Sequence, residues 1–342
     1  MFTKLFQLVC SIAIGTISHI NQGTEYSESA VKAYSESNHG PDGALFLDPY
    51  FKPEIENLNN DKVLDAGCGA APWSIYAAKQ GGEVFAIDIQ KKMIKSAKKA
   101  IEEARLSNKI KLSQGTVASL PYKENYFDRV ISICVACNLP PDAFEKHFSE
   151  IQRTIKNGGK VVIGAPNSID VSFSNGSKSD ENMYLHIQQI LNQLPDNPDS
   201  ATISEKLLQL QEVLSATFYL KNNRLELVTN ENDLKEGDKI WRKLPNIVIP
   251  NHYYSKSFYI KMLKKYNLEV DKIDLPHFNG ESDRIAYNKK APLDAKLGKA
   301  YIHHAPFIIY HVKKHHEEPV SLKKSALNMV TVQAKENTTM TN

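Results

Sequence analysis

One stretch, Val63-Leu64-Asp65-Ala66-Gly67-Cys68-Gly69-Ala70-Ala71-Pro72, constrains the fold of this chain more than any other. Two apolar residues and an acid read as the end of a buried strand, the two glycines as a tight turn, and Pro72 as the first turn of a helix. Gly67 and Gly69 let the backbone turn sharply and admit a ligand with no Cβ in the way. The free N–H groups of the helix start suit a polar or anionic group. A nucleotide-like ligand is therefore expected here.

The alternation continues from that point. Lys62 to Ala66 reads as strand one, followed by a helix from about Pro72 to Lys79, and Gly81-Gly82 breaks the chain before strand two, Glu83 to Asp88. The next helix places Met93, Ile94, Ala97 and Ile101 on one face and Lys91, Lys92, Lys95, Lys98 and Lys99 on the other. A solvated face accounts for such a lysine stripe more simply than a nucleic-acid contact does. Strand three is Lys109 to Gln114, strand four Arg129 to Cys134, then come a helix from Ala143 to Ile155 and strand five, Lys160 to Gly164. Strands alternating with helices predict an α/β, Rossmann-like, doubly wound and mostly parallel sheet, with the ligand beyond its carboxyl edge beside strand one.

Residues 166 to about 250 break the rhythm. The pattern predicts a polar stretch from Ser168 to Asp180, a helix carrying Met183, Tyr184, Ile187, Ile190, Leu191 and Leu194, and a second helix opened by Thr202-x-x-Glu205 and running to about Leu220. Short strands at Arg224 to Thr229 and Ile240 to Leu244 complete a mainly helical insertion, read as 167–250: a lid, a dimerisation arm or a small subdomain. Asn251 to Tyr266 then reads as a helix, Leu268 to Leu275 as a strand and Pro306 to Val312 as a closing strand. The tail from 313 to 342 is polar.

Composition matters at three points. A net charge of +3 demands neither nucleic acid nor an anionic membrane as partner. Four cysteines are too few for a secreted disulfide scaffold, and Cys134-Val135-Ala136-Cys137 has no second such pair for zinc. Adjacent histidines at His303-His304 and His315-His316 face opposite ways in a strand, so no metal is assigned. Residues 1 to 20 hold Lys4 and an apolar run interrupted by Gln7, Ser11, Thr16 and Ser18. They resemble a signal peptide without a clear cleavage site, or an amphipathic helix that touches a membrane. A cytoplasmic location is the expectation, with export or membrane association through this segment as the alternative.

Two ligands compete for the glycine turn. A dinucleotide fold wants glycine or alanine where Pro72 stands, and Asp65 would face a pyrophosphate unfavourably. An acid there favours a ligand with an α-amino group and a sulfonium, which points to S-adenosylmethionine. Asp88, at the end of strand two, is placed for ribose hydroxyls in either case.

Val63 to Ala71, Val84 to Asp88, Gly115 to Pro121 with Phe127-Asp128, and Asn157 to Ile163 together resemble the class I S-adenosylmethionine-dependent methyltransferases. The likeness is nearest to the small-molecule group that includes ubiquinone-biosynthesis C-methyltransferases. It covers about Lys62 to Pro166 well and Tyr253 to Val312 loosely. It implies a seven-stranded sheet with an antiparallel last strand, in a domain spanning 21–312. It implies that Asp65 organises the methionine end, that Ala66, Gly67 and Gly69 form the turn, and that Asp88 holds the ribose. Ile89, Met93, Thr116 and Val117 would meet the adenine, and Cys134 would lie near the methionine portion. Many relatives carry an acid where Thr116 stands, so a hydroxyl or the Val117 backbone must serve the adenine amine.

Methyl transfer needs alignment, exclusion of water and sometimes removal of a proton, so sequence constrains the cofactor more than the acceptor. Asn138-Leu139-Pro140 matches the His-Leu-Pro of small-molecule relatives better than the Asn-Pro-Pro-aromatic motif of enzymes that methylate planar nitrogens. The expected acceptor is a small, apolar or aromatic molecule. Asn138, His252 and Tyr253 are the catalytic candidates, and Tyr34, Asn138, Tyr253 and Tyr254 the substrate candidates, with Tyr26 in the same leading segment as Tyr34. Alternatives are a protein or nucleic-acid methyltransferase and a non-catalytic S-adenosylmethionine-binding protein.

Overall fold

The computed structural model describes residues 47–167, 181–210, 216–228, 231–244, 247–276 and 307–315. The apolar segment 1–20, Tyr26, Tyr34, the stretch 168–180, His303-His304 and the tail beyond 315 lie outside the described residues.

Seven strands form the central sheet: β1 (Lys62–Ala66), β2 (Glu83–Asp88), β3 (Ile110–Gln114), β4 (Phe127–Ile133), β5 (Ile155–Pro166), β10 (Leu268–Asp274) and β11 (Phe307–Lys314). Their order across the sheet is β10-β11-β5-β4-β1-β2-β3. β1 runs parallel to β2 and β4, and β11 runs antiparallel to both β5 and β10. The chain therefore winds outward from β1 in both directions, and the switch point lies at the carboxyl ends of β1 and β4, where ligands of such sheets bind.

Period-two alternation sends neighbouring residues of each strand to opposite layers. Val63, Val84, Ile131, Val162 and Ile309 pack with Phe51, Trp73, Ala77, Ala97 and Ile101. These partners come from α1 (Asp48–Phe51), α2 (Pro72–Lys79) and α3 (Lys91–Glu103). Leu64, Phe85, Val130, Val161 and Ile163 face the other layer, with Phe144, Phe148, Ile151, Tyr259 and Leu263. α4 (Pro141–Thr154) and α7 (Lys256–Lys265) supply that layer. Both sheet faces are covered, which is why the strands read as continuous apolar runs. The lysines of α3 lie exposed, Lys98 and Lys99 pairing with Glu102 and Glu103 one turn on. No described helix is long and apolar enough to cross a membrane.

Between β5 and α7 the chain builds helices α5 (Glu181–Leu191) and α6 (Ser200–Leu208), and also an antiparallel sheet of order β7-β6-β8-β9. Its strands are β6 (Ala216–Lys221), β7 (Arg224–Leu227), β8 (Lys239–Leu244) and β9 (Ile247–His252). The sequence pattern had predicted a mainly helical segment with the second helix running to about Leu220. That helix stops at Leu208, and Asn222-Asn223, both at positive φ, make the tight turn that pairs β6 with β7. The helix is capped by Asp199, whose carboxylate accepts from Thr202 N at 2.8 Å, and not by the Thr202-x-x-Glu205 box. Asn251 and His252 close β9 instead of opening a helix, and α7 begins after Ser255, whose hydroxyl caps Phe258 N. Ile187, Ile190, Leu191, Ile203, Leu207, Phe218, Leu225 and Trp241 form a separate core between α5, α6 and this sheet.

Candidate active site

β1 ends at Ala66 and the chain reverses through Gly67 (φ +81°), Gly69 (φ +53°) and Ala71 (φ +66°) before Pro72 opens α2. Gly67 N and Cys68 N both donate to the Ile87 carbonyl, at 2.8 and 3.0 Å, which ties the turn to the end of β2. At Gly67 a Cβ would stand 2.4 Å from Val135 Cγ2, so no side chain fits there. At Gly69 nothing lies within 4 Å of where a Cβ would be, so the backbone faces open space. This is the cradle a nucleotide-like ligand requires.

Two carboxylates close that cradle. Asp65 is 3 % exposed and Asp88 8 %. Ser74 Oγ, on the first turn of α2, donates to Asp65 Oδ2 at 2.6 Å. Asp88 accepts from Gly69 N at 2.9 Å and from Gln90 N at 2.8 Å, one bond to each oxygen. Burial pushes the Asp65 carboxyl up to about 7, the Ser74 hydrogen bond opposing the shift and the nearby Asp88 adding to it. Burial likewise raises Asp88, against the pull of its backbone N–H partners. Two buried acids without a cation beside them are costly, and a ligand carrying an ammonium and a sulfonium would relieve that cost. The residues present thus fit S-adenosylmethionine. Ala66, Gly67 and Gly69 surround the same turn.

Beyond β2, Ile89 is half-buried and Met93, in the first turn of α3, is buried. Gly115 N donates to the Asp88 carbonyl at 3.0 Å, which brings the loop after β3 to the same edge. Thr116 Oγ1 accepts from Ala118 N at 3.1 Å, so the hydroxyl shapes its own loop. The Val117 side chain is in the core. The loop backbone is left as the edge a base could meet. Two residues of α4, Glu150 and Arg153, hold this loop, and His147 stands one turn before them on the same helix. His147 is fully buried and bonds Ser132 through Nε2 at 2.9 Å. Glu150 accepts from Leu120 N at 2.6 Å, and Arg153 donates to the Leu120 and Tyr122 carbonyls at 3.0 and 2.7 Å. Desolvation drops the His147 imidazole to about 4, so it is neutral.

On the other side of β1, Cys134 follows β4 in the left-handed region (φ +54°) and donates its N–H to the Gly164 carbonyl at 2.7 Å. Burial pushes its thiol up to about 11 and raises Cys137 further, so both are protonated. Asn138 Nδ2 donates to the Cys134 carbonyl at 2.6 Å, and its Oδ1 accepts from Asn251 Nδ2 at 2.7 Å. The amide of Asn138 is thereby fixed in a structural bridge from the β4 end to β9. Tyr254 OH donates to the Leu139 carbonyl at 2.8 Å and its ring stacks on Phe144. His252 donates from Nδ1 to the Gly237 carbonyl at 2.9 Å, and burial, with Lys239 nearby, lowers its affinity for a second proton. Tyr253 packs elsewhere, with Tyr219, Val228 and Ile240. A cavity of about 10 Å³ lies between Cys137, Pro166, Arg242, Asn251, His252 and Tyr254. Asn138, His252 and Tyr254 thus converge beside the carboxyl ends of β4 and β5, while Tyr253 does not join them.

The sequence reading missed Ser74, Val135, Arg242, Asn251 and, on α4, His147, Glu150 and Arg153. Ser74 carried a local signal, one turn into a helix that starts beside an acid. The others become visible only when distant segments meet.

Residues 64–163 match the family model described as a methyltransferase domain. Demethylmenaquinone methyltransferase of Lactiplantibacillus plantarum is 33% identical over 112 residues, which is 32% of this chain and 46% of that protein. The same enzyme of Oceanobacillus iheyensis is 37% identical over 117 residues, 32% of this chain and 48% of that protein. The chain thus spans just under half the length of these relatives. Among solved structures, an S-adenosylmethionine-dependent methyltransferase of Mesorhizobium loti aligns with a TM-score of 0.49 at 14% identity, covering 80% of this chain and all of the other. Motifs and sheet order agree with that match, and the segment 64–163 is similar to a methyltransferase domain.

Proposed function

We propose that the protein transfers a methyl group from S-adenosylmethionine to a small acceptor of apolar or aromatic character. The observation that carries this reading is the pair of buried acids, Asp65 and Asp88, facing a glycine turn with open space at Gly69. When bound, S-adenosylmethionine supplies a methyl carbon made electrophilic by its sulfonium. Asp65, held in place by Ser74, would attract the positively charged methionine end. Asp88 keeps lone pairs beyond its two backbone bonds to accept ribose hydroxyls. Ile89, Met93 and the backbone of Thr116 and Val117 would border the adenine. Cys134 and Asn138 would stand beside the methionine end, and the sheet of β6 to β9, docked through Asn251, would exclude water there. The acceptor class follows from the relatives named for demethylmenaquinone, whose activity is theirs.

In this reading residues 21–312 are one domain, residues 167–250 a lid over the cleft, and residues 1–20 and 313–342 lie outside it. A cytoplasmic site of action suits a cofactor made there, with membrane contact through residues 1–20 as the alternative. The test is transfer of tritiated methyl from S-adenosylmethionine into separated metabolite, protein and RNA extracts. Label in an organic-soluble metabolite is expected. Label confined to protein or RNA would establish a macromolecular methyltransferase, and cofactor binding with no transfer to any pool would leave a non-catalytic binder.

A further inference from the structure

We infer that the acceptor presents an anionic oxygen, an enolate, phenolate or carboxylate, to Arg242 at the roof of the cleft. This rests on the methyltransferase reading above and narrows its acceptor.

Alternation along β8 decides where Arg242 stands. Trp241 is buried in the core with α5 and α6, and Lys239, on the same face, bonds Ser200 Oγ of α6 at 2.6 Å. Ile240 and Arg242 must then face the opposite way, toward the methyltransferase core. Asn251, paired with Ile240 across β9, shares that face and reaches Asn138. Arg242 lines the cavity with Cys137, Pro166, Asn251, His252 and Tyr254, and its charge is felt by the thiols of both Cys134 and Cys137.

The rest of that lining is uncharged. The Tyr254 and Tyr259 hydroxyls and the Cys137 thiol are held protonated by burial, and His252 is held neutral. No carboxylate among the described residues forms an ion pair with Arg242, whereas Lys239, on the opposite face of β8, is bonded to Ser200. A half-buried guanidinium without an anion is costly, and it is the side chain best shaped to grip a planar oxyanion in a bidentate manner. A second cation beside a sulfonium is also repulsive unless a negative group lies between them. An anionic acceptor satisfies both. It would give its electron pair to the methyl carbon as the carbon–sulfur bond breaks, cancelling its own charge and the sulfonium's together, so no base is required. That removes the need for a catalytic His252. The cavity of about 10 Å³ has room for one water, so a larger acceptor enters only when β8 and β9 lift from Asn138.

The test uses the full chain loaded with S-adenosylhomocysteine and two isosteric probes, 2-naphthoate and 2-naphthamide, titrated by calorimetry. The wild type should bind the anion at least tenfold more tightly. R242Q should lose that preference and R242K keep part of it, with S-adenosylhomocysteine affinity unchanged in both, which also reports that the variants are folded. Equal affinity for the two probes in the wild type, or a preference that survives in R242Q, would overturn the inference. Failure of the wild type to bind S-adenosylhomocysteine would instead sink the methyltransferase reading on which it rests.

Discussion

At the scale of the residue, Asp65 sets the behaviour of the site. Its carboxyl rises from 3.8 to about 7 because it is buried, so the folded protein holds a proton there that the unfolded chain releases. Stability contributed by that proton is full at low pH and is lost as pH climbs from about 4 to about 7, a cost of roughly 4 kcal/mol at pH 8. D65N keeps an acceptor for Ser74 and removes the buried charge. The ligand-free variant should therefore melt higher than the wild type at pH 8, by a thermal scan, while losing S-adenosylhomocysteine binding by tenfold or more. Gly67 makes the opposite case, because it needs both a positive φ and the absence of a Cβ beside Val135. G67A should cost about 2 to 4 kcal/mol in urea unfolding.

At the scale of the element, the strand–helix rhythm from 62 to 166 was legible because the inner strands β1, β2, β4 and β5 are largely buried and α3 and α4 each carry one apolar stripe. Phe127-Asp128 was legible too, though its meaning is structural: Phe127 is fully buried, and Asp128 accepts from Lys62 N at 2.9 Å and Lys156 Nζ at 2.6 Å. The second sheet was half legible. Phe218 and Leu220 fit a helix as well as a strand until the hairpin turn at Asn222-Asn223 decides between them, and β9 hides behind a Pro250 that reads as a breaker. The roles of Glu150 and Arg153 were not legible, since the groups they hold are backbone atoms of a loop some 30 residues earlier. R153M should leave the Leu120 and Tyr122 carbonyls unpaired, cost about 2 kcal/mol in stability, and weaken S-adenosylhomocysteine binding by loosening the Thr116–Val117 loop. Unchanged affinity in a folded R153M would show that this loop does not border the cofactor.

At the scale of the molecule, two bridges join distant parts. His311 on β11 contacts Glu54, just after α1, through Nδ1 at 3.1 Å and Asp274 on β10 through Nε2 at 2.9 Å. The Glu54 hydrogen bond is the main cause of its raised proton affinity, partly opposed by burial, and Glu54 is lowered in turn. The stability this gives is full below the ordinary histidine range and disappears as pH rises through the raised value. H311Q should accordingly destabilise the protein at pH 6 more than at pH 8.5, measured by chemical unfolding at both. The other bridge, Asn138 to Asn251, docks the second sheet on the core. A double-mutant cycle of N138A and N251A should return a coupling of about 1 kcal/mol. This second bridge lies beside the cleft whose floor is the turn at Asp65. The most direct measurement is therefore calorimetric titration of S-adenosylhomocysteine into the full chain between pH 6 and pH 8. The account predicts one site whose affinity rises with pH through about 7 as Asp65 ionises, and D65N should abolish binding or flatten that rise. Absence of binding, or wild-type binding in D65N with the same pH profile, would contradict it.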